Sequence, residues 1–269
     1  MDWRPTRITR VVKVLGTSTK PLVVETDVGT ALCKYCGNPA GTDALCSELI
    51  ASELLALLSY DAPAHALVRL SKRFDLQEFG VHVEDGTAFL TRWEPLAITF
   101  SGEGGLLDSV SNPEMVSKVL VFDTWIKNVD RFVSSPGLST ENLDNLLFVP
   151  DNKRVRMMVI DHSHSFTETT FEDGFSDDWW DDEDVCGTHQ SLATFVREDA
   201  LHQGLDEISA VSREQLERIV GLVPPEWGLS QRARVRLVDG LLNRAGEMKH
   251  WLPRKLLREP PLGYELGKR

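Results

Sequence analysis

The chain has 269 residues, 42% hydrophobic and 26% charged, the balance of a globular protein with room for one large domain or two lobes sharing a cleft. Its 41 acidic and 29 basic side chains leave a net charge of -12. Such a surface repels nucleic-acid backbones and anionic membranes, which excludes both as expected bulk partners.

The start, Met1-Asp2-Trp3-Arg4-Pro5, has no apolar core behind a basic head, so no secretory leader is expected. The first hundred residues read as β-rich with one helix. Val11 to Leu15, Leu22 to Glu25 and Thr30 to Tyr35 are strand candidates, the last two separated by the turn signal at Asp27 to Gly29. From Asp43 the period changes, and Leu45, Leu49, Ala51, Leu54, Leu55 and Leu58 mark a helical apolar face. Ser47, Glu48, Ser52 and Glu53 interrupt that stretch, which is too short and too charged to span a bilayer. Ala64 to Leu70 and Thr87 to Trp93 return to strand character. Glycines break the chain at Ser101 to Gly105. Beyond them helix dominates, beginning with Pro113 to Trp125. Leu146 to Val149 and Val155 to Ile160 read as a hairpin across Pro150-Asp151-Asn152-Lys153. Helices follow near Leu192 to His202, Arg213 to Leu222 and Gln231 to Leu252, with Ser212 and Ser230 as N-caps.

The four cysteines, Cys33, Cys36, Cys46 and Cys186, are read as reduced, in keeping with a cytoplasmic location. Cys33-Lys34-Tyr35-Cys36 has no second CxxC to complete a zinc site, and on a strand its cysteines point to opposite faces, so both are read as packing residues. Between Glu168 and Asp184 lie nine acidic residues and no basic one, together with Trp179-Trp180. This segment is either a solvated insertion or a docking patch for a basic protein partner with an indole as anchor.

The chemistry is concentrated in three short runs. Phe122-Asp123-Thr124-Trp125-Ile126-Lys127-Asn128-Val129-Asp130-Arg131 ends a helix in a polar loop. Asn145-Leu146-Leu147 opens a strand, and Ile160-Asp161-His162-Ser163-His164 follows the hairpin. Two apolar strands thus carry Asn145 and Asp161 toward Asp130. Phosphoryl transfer needs a carboxylate to orient and deprotonate the attacking hydroxyl, and hard oxygen ligands to hold Mg²⁺ against the phosphates. Asp130 fits the catalytic base, and Asn145 and Asp161 fit the metal ligands.

These runs resemble the HipA-like kinases and, more distantly, the type II phosphatidylinositol 4-kinases. The matching positions are Asp123, Trp125, Asn128, Asp130, Arg131, Asn145, Leu146, Leu147, Ile160, Asp161 and His162. The resemblance implies an α+β, two-lobed protein-kinase-like fold. Its β-rich N-lobe would span residues 1–95 and its mainly helical C-lobe residues 96–269, with the acidic insertion 168–184. It implies ATP and Mg²⁺ as cofactors and a protein Ser/Thr hydroxyl, or a small molecule, as acceptor. Gly16-Thr17-Ser18-Thr19-Lys20-Pro21 resembles the phosphate-covering loop, so Gly16, Thr17 and Ser18 are expected at the phosphates. Lys34 resembles the phosphate-contacting lysine and Glu48 the glutamate that orients it, with Glu53 as competitor. The backbone of Thr91 to Pro95 is expected at the adenine. Arg131 is expected to hold its loop by pairing with a carboxylate. The tail Val223-Pro224-Pro225-Glu226-Trp227 is similar to the family's as well.

Three positions depart from the family pattern. Asp130 and Asn145 stand 15 residues apart, so Phe132 to Asp144 must loop out and Asn142 becomes a rival ligand. Ser163 stands where the family has glycine, and Gly16-Thr17-Ser18 is poor in glycine. A nucleotide-binding pseudokinase therefore stays open as an alternative. A second alternative is a metal-dependent hydrolase built on His162, His164, His189 and nearby aspartates.

Overall fold

In the computed structural model, the Val-, Ile- and Thr-rich segments of the first hundred residues form a five-stranded antiparallel sheet. Its strands are β1 (Ile8–Val14), β2 (Leu22–Thr26), β3 (Gly29–Lys34), β4 (His65–Leu70) and β5 (Gly86–Arg92), in the order β1-β2-β3-β5-β4. The structure describes residues 3–72, 74, 76, 80–100, 104–135, 138–141, 143–167, 169–173, 179–187 and 192–257.

The period of two divides this sheet into two working faces. Leu22, Val24, Ala31, Cys33, Val68, Ala88 and Leu90 bury together in a core of their own. The register pairs Leu32 with Thr91 and Lys34 with Phe89, and these four side chains line the other face, toward a cleft. Cys33 and Cys36 do part company, Cys33 into the sheet core and Cys36 into the main core, and all four cysteines are free.

Helix α1 (Gly41–Leu57) is buried on nearly every side, because the sheet flanks it on one side and the C-terminal helices on the other. Leu45, Leu49, Leu54 and Leu55 share one continuous core with Val119, Phe122, Leu216, Trp227 and Leu241. The short α2 (Gly104–Leu107) leads to α3 (Glu114–Trp125), whose Trp125 Nε1 donates to Leu241 O at 2.8 Å. A second sheet, in the order β10-β9-β6, consists of β6 (Ile98–Thr99), β9 (Leu146–Asp151) and β10 (Arg154–Val159). The chain ends in α4 (Glu198–Ser209), α5 (Arg213–Gly221) and α6 (Gln231–Leu256). Ser212 forms a capping box with Gln215, and Ser230 accepts from the Ala233 amide at 3.1 Å, as two N-cap serines should. No helix among the described residues is long and apolar enough to cross a membrane.

Three local differences from the sequence reading have identifiable causes. The helix expected from Leu192 to His202 is broken into a 3₁₀ turn (Ala193–Phe195) and α4. The break stays extended because the buried Ser117 hydroxyl receives the Arg197 amide at 2.8 Å and donates to its carbonyl at 3.1 Å. The run Phe132 to Asp144 does loop out, as an antiparallel ribbon of β7 (Phe132–Ser135) and β8 (Leu138–Glu141). Strand β6, only two residues long, carried no readable period. Asn142 and His189 lie outside the described residues.

Candidate active site

A cavity of about 590 Å³ lies between the cleft face of the first sheet and the β9–β10 hairpin. Its apolar walls include Leu32, Phe89, Leu147 and Val159, and its polar floor includes Lys34, Glu48, Asp130, Asn145 and Asp161. Lys34 reaches it because β3 alternation turns it away from the sheet core. Its ammonium makes a short ion pair with Glu48, and it donates to Asp161 Oδ1 at 2.8 Å. Glu48, 3% exposed on α1, also accepts from the His162 amide at 3.1 Å. Glu53, its competitor, faces His65 at 3.0 Å instead.

Asp161 takes a left-handed conformation at φ +58°, uncommon for a residue with a side chain though less so for Asp. The backbone strain of this segment thus falls on Asp161, and Ser163 has no positive φ. The Ser163 hydroxyl donates to Asp161 Oδ1 at 2.8 Å, so serine in place of glycine adds a hydrogen bond here. Burial works to raise the Asp161 carboxyl, but the Lys34 ammonium and the hydrogen bonds around it hold it well below the usual carboxylate range. Burial, joined by the Asp161 charge, outweighs Lys34 at Glu48 and pushes that carboxyl up to about 7.

This shift gives a pH test. Between the ordinary value of 4.5 and about 7, the folded chain keeps a proton on Glu48 that the unfolded chain has released. The group's stabilisation is therefore full below pH 4.5 and is lost as pH rises through 7. Glu48→Gln should make urea-measured stability fall less, or rise more, across that window than it does for the parent. Parallel curves for the two proteins would refute the shift.

The residues that follow α3 and the asparagine before β9 are held from beneath. Asn145 Nδ2 donates to Asp130 Oδ2 at 3.2 Å, which presents its amide oxygen as the remaining acceptor. The Asn145 carbonyl receives the Ile160 amide at 3.2 Å and a short bond from Arg131. Arg131 is fully buried, ion-paired with Asp123 Oδ2 at 2.7 Å, and donates to His162 Nε2 at 2.9 Å. Asn128 Nδ2 completes this network on Asp123 Oδ1 at 3.1 Å.

The loop expected at the phosphates is partly as read. Thr17 and Ser18 line the cavity with Thr19, whereas Gly16 is exposed and outside the lining. The turn closes through Leu15 N to Pro21 O at 2.9 Å, and its positive φ, +47°, falls on Lys20 rather than on Gly16. Thr91, Arg92, Trp93 and Glu94 border the cavity. Asp144 also lines it; its place inside the looped-out run hid it from the sequence reading. Leu32 was readable as the neighbour of Lys34 in a period of two, whereas Phe89 comes beside Lys34 only through the β3–β5 register.

The donor set suits Mg²⁺. An amide oxygen and an ionised carboxylate, Asn145 and Asp161, open on one cavity, and 35% of the Asp161 side chain is exposed. Among the described residues, which leave out His189, the histidine–carboxylate cluster of the hydrolase reading is not assembled. His162 is buried, and burial together with Arg131 pushes its pKa well down, leaving a neutral ring that accepts from Arg131. Among the described residues no three His, Cys, Asp or Glu side chains group as a metal site.

The acidic segment also differs from expectation where it is described. Trp179 and Trp180 pack against the main core and Asp182 pairs with Lys127 and Arg244, while Asp181, Glu183 and Asp184 stay exposed.

No curated protein matches the chain by sequence. Solved structures share its fold. The Helicobacter pylori proinflammatory kinase CtkA is similar over 90% of this chain and 97% of its own, with a TM-score of 0.55 at 12% identity. Hydra Fam20, solved with sugar, is similar over 93% of this chain and 88% of its own, at 0.54 and 14%. HipA of Shewanella oneidensis MR-1, solved with HipB and its operator DNA, is similar over 96% of this chain and 68% of its own, at 0.52 and 10%. A HipA-like kinase family model matches residues 14–253, a span that holds the loop before β2, the Lys34–Glu48 pair, the Asn128-to-Arg131 loop and most of the C-terminal helices. With fold and sequence in agreement over that length, the chain belongs to the HipA-like kinase family.

Proposed function

We propose that this kinase-type phosphotransferase uses ATP and Mg²⁺ and transfers the γ-phosphate to a protein Ser or Thr hydroxyl. The observation that carries the reading is the opening of Lys34, Asp130, Asn145 and Asp161 on a single cavity with apolar walls. In this reading residues 1–95 form the N-lobe and 96–269 the C-lobe, with the nucleotide between them. Leu32, Phe89, Leu147 and Val159 sandwich the adenine, and the backbone near Trp93 and Glu94 faces its edge.

Lys34, kept charged by Glu48 and Asp161, neutralises phosphate oxygens, while Thr17 and Ser18 cover them. Asn145 and Asp161 would hold Mg²⁺, which supplies charge stabilisation to the phosphates. Asp130 orients the acceptor hydroxyl and takes its proton. Catalysis is then positioning in a preorganised field. The family resemblance supports a protein hydroxyl acceptor, and the net charge of -12 weighs against nucleic acid as a partner.

The test pairs thermal shift in ATP and Mg²⁺ with mass spectrometry of phosphate transferred to the chain itself or to an added peptide. Ligand at about a hundredfold excess over Kd adds about 2.7 kcal/mol to stability. Asp161→Ala should lose the Mg²⁺-dependent part of that shift and all transfer. A parent chain that neither shifts with ATP and Mg²⁺ nor transfers phosphate would refute the proposal. A shift without transfer would mark a nucleotide-binding pseudokinase.

A further inference from the structure

The junction between α3 and the catalytic loop is gripped by a segment that the chemistry above does not use. Lys127, one residue before Asn128 and three before Asp130, is 2% exposed and sits at φ +52°, a conformation few residues with side chains adopt. Its ammonium is enclosed by residues 179–182. It donates to Trp179 O at 2.8 Å, lies 3.9 Å from the centre of the Trp179 ring and makes a short ion pair with Asp182.

The strap that supplies these partners is itself fastened. Arg244, 1% exposed on α6, donates to Trp180 O at 3.1 Å, Asp182 O at 2.8 Å and Asp184 O at 3.1 Å. The same guanidinium donates to Thr124 O, near the end of α3, at 2.7 Å. Trp180 lies so close to α6 that a Cβ on Gly240 would stand 2.3 Å from its ring. Trp179 Nε1 donates to Phe166 O at 2.7 Å, and the Phe166 amide donates to Ile126 O at 2.7 Å, so the other side of the junction is tied as well.

We propose that Trp179 to Asp184 is a positioning strap for the catalytic loop, acting through the left-handed turn at Lys127. Lys127 and Asp182 are positioning residues: they hold the turn, and the turn aims Asn128 and Asp130. The inference rests on the reading of Asp130 as the base, but the strap itself has a consequence independent of catalysis. Without its partners, the buried ammonium has no reason to keep Lys127 at positive φ, and the backbone of residues 126–131 should open more often. A displacement of about 1 Å at the catalytic loop is enough to cost about 10²-fold in rate.

The experiment measures amide hydrogen exchange at residues 126–131, and kcat and ATP KM, on the full chain. The variants are Lys127→Ala, Lys127→Gly, Asp182→Ala and the milder Asp182→Asn, which carries the test if the alanine variants do not fold. Lys127→Ala and Asp182→Ala should exchange faster at 126–131 and lose about 10²-fold in kcat, with ATP KM within about threefold of the parent. Lys127→Gly should recover most of the lost kcat, because glycine takes φ +52° without strain. Unchanged exchange at 126–131 in the Asp182 variants would overturn the strap. Lys127→Gly as slow as Lys127→Ala would overturn the turn as its route. If the parent chain turns over no ATP, the kinase proposal fails, while exchange at 126–131 still decides the strap.

Discussion

Asp130→Asn is expected to slow phosphoryl transfer by about 10²–10⁴-fold, the range of a lost general base, and to leave ATP affinity within about threefold. Asp130 is half-buried at the cavity and accepts from Asn145 Nδ2. An asparagine keeps the shape and an acceptor oxygen for that bond, so Asn145, proposed above as a Mg²⁺ ligand, stays supported and the change falls on the proton. Single-turnover transfer of the γ-phosphate, beside ATP binding by thermal shift, separates the two effects. A variant that transfers at the parent rate would remove Asp130 from the role and turn attention to Asp144, another carboxylate that lines the cavity. A variant that loses binding as well would show that Asp130 supports the nucleotide or the metal rather than the acceptor.

How much of this arrangement could be read beforehand follows from how local each cause is. Strands β2, β3 and β5 and the face of Lys34 follow from alternation within a few residues. The N-caps Ser212 and Ser230 follow from side chains that bond amides three positions on. The pairing of Lys34 with Glu48 followed only from the family resemblance, since periodicity favoured neither Glu48 nor Glu53. What stayed hidden depends on contacts distant in sequence. The break before α4 is set by Ser117, 80 positions away from Arg197. The acidic segment left a solvated insertion and a docking patch both open because the cations of Asp182, Lys127 and Arg244, lie 55 and 62 positions away. Gly16 was expected at the phosphates with Thr17 and Ser18, but it stands outside the cavity lining, and the positive φ of its loop falls on Lys20. Ser163 was read as a strained substitute for glycine, whereas the positive φ falls two residues earlier, on Asp161.

Arg131→Met should cost about 3–5 kcal/mol of stability, the range for breaking a buried ion pair from one side. Arg131 and Asp123 are both fully buried, and the methionine would leave the Asp123 carboxylate without its cation, although Asn128 still donates to it. Burial already pushes the Asp123 carboxyl up against the pull of Arg131 and Asn128. Without Arg131 it should rise further, so the folded variant holds a proton that the unfolded chain releases above the ordinary carboxylate range. The sign follows: the deficit relative to the parent grows as pH rises from the ordinary carboxylate range toward neutrality. Adding Asp123→Asn should remove most of that pH dependence and part of the loss. Urea titrations at pH 5 and pH 8 on the three proteins decide the matter, and a loss below about 1 kcal/mol would mean that the pair is as weak as a surface bridge. The same guanidinium bonds the Asn145 carbonyl and His162 Nε2, next to Asp161. A variant stable enough to assay should therefore also need more Mg²⁺ for its ATP-dependent thermal shift, because the two residues offered as metal ligands lose their common support.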